Sequence, residues 1–209
     1  MKTSISTIIL FIIVPTFAMG QGTSGPSIKK TAIKNTSVQA KPSTGTAEPV
    51  FTTGDAGVIE ALNWVRANPK EYISKVLLNP NSKGFVDSSE RDDYFNSLVS
   101  DLNQVRPITT KLTYDPALYE SAMCHAVTSG TRGFVGHERQ DNSCKENFMA
   151  ECISYGPYAP INIVCNLLID RGVPSLGHRK ILLSDRYTKV GVSIQPHASY
   201  RYNTVIDLR

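Results

Sequence analysis

The chain has 209 residues and a formal charge of +4, from 22 Lys and Arg against 18 Asp and Glu. Lys2, the four lysines Lys29, Lys30, Lys34 and Lys41, and Glu48 all lie before residue 51, which leaves 17 basic and 17 acidic side chains over residues 51–209. The excess charge thus belongs to the N-terminal tail. A basic recognition surface would be carried by the domain itself, so nucleic acid is not the expected partner.

Residues 1–20 read as a signal peptide: Lys2, then a mostly apolar run from Ile5 to Ala18, then the small-x-small sequence Ala18-Met19-Gly20. The run is shorter than the roughly 20 residues needed to span a bilayer, so the mature form is expected to have no transmembrane helix. Residues 21–50 are rich in Gly, Ser, Thr, Pro and Lys, without helical or strand period, and read as a flexible basic linker. Residues 51–209 are enough for one domain with a single core.

Within that domain Asp55 is a candidate cap for a helix with Val58, Leu62 and Val65 on one face. Pro69 opens a second helix through Tyr72, Ile73, Val76 and Leu77. Ser88 or Ser89 starts a third, carrying Tyr94, Leu98, Leu102 and Val105 and ending at Pro107. Asp115-Pro116 signals a fourth, which runs to about Ser129 and stops before Gly130. Residues 134–155 have no single period. Pro160 begins a fifth helix, with Gly172 as its expected stop. Two alternating runs close the chain, Tyr187–Ile194 and Tyr200–Leu208, joined by a hairpin at residues 195–199. Helices early and strands late predict an α+β fold with helices on an antiparallel sheet.

Three short words carry the chemistry: Gly136-His137, Glu146-Asn147 and Gly177-His178-Arg179-Lys180. Two imidazoles and a carboxylate near turn residues suit a solvent-facing polar cleft. His125 shares a helix face with Leu118 and is expected in the core. His197 falls in the hairpin, where exposure is expected. Arg179 and Lys180 suit either an anion-attracting rim or a solvated helix end. Four cysteines allow three pairings, and buried free thiols are an alternative.

The order of these words resembles the CAP superfamily, or SCP domains, which includes cysteine-rich secretory proteins, antigen 5 and plant pathogenesis-related proteins. Residues 61–72 (ALNWVRANPKEY) resemble its opening helix with the N-x-x-R-x-N-P pattern, and residues 112–126 (LTYDPALYESAMCHA) its L-x-x-D-x-x-L-x-x-x-A helix. The Gly-His, Glu-Asn and Gly-His-Arg-Lys words follow, then the closing strands. The short form of the Gly-His word resembles that of bacterial-type members.

The resemblance implies an α-β-α sandwich with a cleft of two histidines and two acids: His137, Glu146 and His178, with Asp170 in the fourth position. It implies a secreted or periplasmic protein whose partner is an extracellular protein, a lipid or a cell-surface ligand. His137 and His178 could hold one divalent cation (zinc, magnesium or calcium), with Glu146 and Asp170 orienting the rings. Two ligands make an exchangeable site, so no cofactor is required. The leading function is an extracellular binding module. One alternative is a metal-assisted peptide or ester hydrolase with Glu146 as general base and His178 beside it; another is sequestration of a lipid or sterol.

Overall fold

The computed structural model describes residues 48–209. The expected signal peptide and all but the last three linker residues lie outside that range. At its start Glu48 already belongs to the domain surface, where its carboxylate accepts from the Ser82 hydroxyl at 2.8 Å.

Helix α1 (Gly54–Ala67) buries Val58, Ala61, Leu62 and Val65. Its cap position is Thr53, two residues before the expected Asp55. The Asp55 carboxylate instead accepts from the Ile194 N–H at 2.9 Å and ties the helix to the sheet. Helix α2 (Pro69–Tyr72) continues as a π-helical turn over Ile73–Leu77. Helix α3 (Asp93–Gln104) starts later than the sequence suggests, because Asp92 rather than Ser88 or Ser89 caps it, accepting from the Phe95 N–H. Strand β1 (Thr113–Tyr114) leads into α4 (Pro116–Arg132), capped by Asp115 as its sequence predicts. Helix α4 does not stop before Gly130; it runs to Gly133, whose φ of 65° suits the left-handed end of a helix. The stretch without a period contains β2 (Ala150–Tyr155). Helix α5 (Pro160–Ile169) ends at Asp170 rather than Gly172, followed by α6 (Gly177–Leu182), β3 (Lys189–His197) and β4 (Arg201–Leu208).

The sheet order is β1-β3-β4-β2, antiparallel at β3–β4 and β2–β4 and parallel only at β1–β3. Side chains alternate between its faces. Cys152, Val190, Val192, Ile206 and Leu208 join the main core with α1, α3 and α5. Ile153 and Val205 pack against Ala122 and Ala126 of α4 on the other side. The result is the α-β-α sandwich, with a large apolar layer on one face and a smaller, more polar one under α4.

Two polar side chains of α1 act as fasteners. Asn63 exchanges two hydrogen bonds with the backbone of Leu112. Arg66 is fully buried and donates to the carbonyls of Leu182, Ser184 and Tyr187, closing the C-terminal end of α6. Helix α4 lies directly on β3: a Cβ at Gly191 would sit 2.1 Å from the backbone of Leu118 and Tyr119. Gly191→Ala therefore forces backbone apart, and the expected loss is at least about 1–3 kcal/mol, measured as a lowered urea midpoint of the full chain.

Candidate functional site

His178 stands in the first turn of α6, and Asp170 decides its position. The Asp170 carboxylate accepts from the His178 N–H at 3.0 Å and the Arg179 N–H at 3.4 Å, so it serves as the side-chain acceptor at that helix start. Its other oxygen meets the His178 ring at Nδ1, 2.7 Å away. To do this Asp170 adopts φ 61°, in the left-handed region, which Asp tolerates better than most residues. Beside it Arg179 is buried, and its guanidinium donates to the Leu168, Ile169 and Tyr94 carbonyls, the Ser97 hydroxyl and Asp101. It is neither a rim charge nor a solvated helix end. It caps the carbonyl end of α5 and joins α5 and α6 to α3.

His137 approaches from the opposite side of β2. Its Nδ1 lies 2.8 Å from Glu151, the second residue of that strand. Glu146, expected in this role, is instead exposed in the connection before β2 and is bonded to neither histidine. The backbone ahead of His137 is held at several points. Gly136 (φ 134°) donates its N–H to the Tyr155 hydroxyl, and its carbonyl meets His125 Nε2 at 3.0 Å. His197 Nε2 donates to the Phe134 carbonyl, while its Nδ1 accepts from the Ser199 and Tyr200 N–H groups. His125 is buried as its helix face predicts. His197 is buried too, against the expectation of exposure, because β3 extends to His197 and the turn is shorter. A disulfide between Cys124 and Cys144 fastens the far end of the segment to α4, and Cys152 and Cys165 are buried free thiols.

Under His137 lies a buried charge cluster. Arg139 is 2.7 Å from the second oxygen of Glu151 and 3.8 Å from Asp207, with its guanidinium over the Phe148 ring. Glu151 and Asp207 are direct cross-strand neighbours. Burial alone would push the Glu151 carboxyl up, but the His137 hydrogen bond and the Arg139 charge outweigh it and hold the group below its ordinary value. Asp207 is fully buried, and burial together with the Glu151 charge pushes it up to about 8, against the pull of Ser121 and Arg139. One proton is thus retained by the acid pair at neutral pH. The buried thiol of Cys152, one residue from Glu151, is pushed well up by burial and is not a nucleophile near neutral pH.

The two cleft rings come together with centroids 6.4 Å apart and planes tilted by 31°. Each gives its Nδ1 to a carboxylate, and neither Nε2 has a partner among the described residues. The His137 side chain is 58% exposed and that of His178 21%. No group of three or more His, Cys, Asp or Glu among the described residues could hold a metal ion. His137 and His178 form a pair, one short of such a group. Zinc–nitrogen bonds are about 2.0–2.1 Å, so rings sharing one ion have centroids roughly 5–6 Å apart. The observed spacing of 6.4 Å is slightly wider.

The family model of the cysteine-rich secretory proteins, CAP, matches residues 100–207. The chain belongs to the CAP family. The match covers more than half the sequence and takes in His137, Glu151, Asp170 and His178. No curated protein matches the chain. Proteins of this CAP family are generally extracellular, and no helix among the described residues is long and apolar enough to cross a membrane.

The buried acid pair makes stability depend on pH. Between about pH 4 and pH 8 the unfolded chain has released the Asp207 proton and the folded chain has kept it. Stability therefore falls as pH rises through this window and levels off above about 8, with a slope of at most about 1.4 kcal/mol per pH unit. Glu151, held low, acts in the opposite sense only at the acidic end. Urea midpoints measured from pH 4.5 to 9 should decline in the native chain and flatten in Asp207→Asn.

Proposed function

We propose that this CAP domain is an extracellular binding module whose cleft takes a divalent cation between His137 Nε2 and His178 Nε2. One observation carries the reading: both rings give Nδ1 to a carboxylate and leave Nε2 without a partner among the described residues, with the two ring centroids 6.4 Å apart. A carboxylate at Nδ1 fixes the tautomer and makes Nε2 a better donor to a metal. A bound ion would supply a Lewis-acidic centre with open positions for an anionic or carbonyl group of a partner. Export is supported by the Cys124–Cys144 disulfide, since such bonds persist in oxidising compartments.

Binding is favoured over hydrolysis for a specific reason. A hydrolase needs a base free to take a proton from water. Glu151 and Asp170 are both engaged in holding the rings, and Glu146 sits in the exposed connection. The site's geometry offers no comparable support for a lipid or sterol ligand.

Equilibrium dialysis of the full chain with zinc at pH 7.5 should give about one exchangeable ion per molecule. His137→Ala and His178→Ala should each weaken it at least about tenfold, on the scale of losing a ligand or its support. Zinc uptake that survives both substitutions sinks the reading.

A further inference from the structure

We infer that the outer edge of β2 is a docking site for an extended segment of another polypeptide, which pairs main chain to main chain with Glu151, Ile153 and Tyr155. The inference deepens the binding-module reading and rests on it, but it does not depend on the cation.

The hydrogen-bond phase of the sheet identifies the free groups. Lys189 and Arg209 exchange N–H and carbonyl bonds, so the odd-numbered residues of β4 serve β3. The Gly156 N–H donates to the Tyr202 carbonyl, so the even-numbered residues of β4 serve β2. In an antiparallel pair these positions alternate strictly. Cys152 and Ser154 therefore turn their backbone groups toward β4, whereas Glu151, Ile153 and Tyr155 turn theirs away. β2 ends the strand order, and no described residue supplies a partner for these outward groups. Backbone groups left unpaired beside a packed interior are costly, and a row of them at strand spacing is a template for another strand.

The surroundings of the edge select the occupant. Ile153 is only 6% exposed, so the edge is recessed. Beside its Ile153–Tyr155 half lies a cleft of about 170 Å³, walled by Asn166, Asp170, Arg171, Val173 and His178. That is below the roughly 300–1,000 Å³ of sites for drug-sized molecules, and a helix, about 10–12 Å across, does not fit. A second copy of this chain is a poor match as well. Its own β2 lies equally deep, so two such edges cannot approach to the strand spacing of about 4.8 Å. A single extended main chain is thin enough and carries the required alternation of donors and acceptors. The walls are largely polar, so main-chain pairing supplies most of the recognition. Glu151 places the two histidines at one end of the bound segment.

Residue-resolved amide exchange of the full chain tests this, with and without a pool of random-sequence heptapeptides at millimolar total concentration. The pool should slow exchange at Glu151, Ile153 and Tyr155 at least tenfold and leave Cys152 and Ser154 unchanged. The same pool N-methylated at its amides should have no effect, and Val173→Trp, which fills the cleft, should remove the protection. The inference is overturned if the pool leaves the three amides unchanged. It is overturned equally if they are already protected without peptide, or if their protection rises with protein concentration alone, the mark of self-pairing. Zinc dialysis reads the histidines and not the strand edge, so failure here is distinguishable from failure of the cation reading.

Discussion

Two carboxylates determine what the rest of this molecule can present. Glu151 and Asp170 lie on opposite sides of the edge strand β2, and each fixes one imidazole through Nδ1. Neither could do so in isolation, because a buried carboxylate is costly without compensating charge or hydrogen bonds. Asp170 is compensated by two backbone N–H groups at the start of α6. Glu151 is compensated by Arg139 and by the proton that Asp207 retains. The site is therefore built from the outside in, each ring resting on an acid and each acid on a second layer of donors.

That second layer explains why the domain keeps so many buried polar groups. Arg66 and Arg179 are among its largest fully buried side chains, and both act on the backbone at the ends of short helices. Arg66 closes the end of α6; Arg179 closes the end of α5 and joins it to α3. A helix of six residues has little stability of its own, because nucleation is unfavourable and few internal bonds repay it. Helix α6 holds His178 in place only because its two ends are bonded to other elements. On the other face His125, His197 and Tyr155 do the same for the irregular backbone before His137.

Much of the architecture was legible in the sequence, since long helices and terminal strands carry strong periods. The Asp115-Pro116 start and the alternation of Val190, Val192 and Ile194 correspond to α4 and β3. The site was legible as to its histidines, less so as to its acids. Glu146-Asn147 has the appearance of a motif, but Glu151 is the residue whose strand position faces His137. The available signal was the short alternation within Ala150–Tyr155, in which Glu151, Ile153 and Tyr155 share a face. A strand on which one face mixes an acid, an apolar residue and an aromatic has no clean hydrophobic period, so it read as irregular. Arg179 was misread for a related reason. Burial of a guanidinium depends on carbonyls from distant segments, and local sequence does not encode that.

Both cleft imidazoles turn Nδ1 to a carboxylate, an arrangement that places the ring proton on Nδ1 and leaves Nε2 as the lone-pair nitrogen. Two-bond proton–nitrogen correlation spectra of the metal-free full chain at pH 8 report the tautomer of each ring directly. Both His137 and His178 should give the Nδ1–H pattern. An Nε2–H pattern at either ring would contradict it, because that nitrogen would then be a donor and not a ligand.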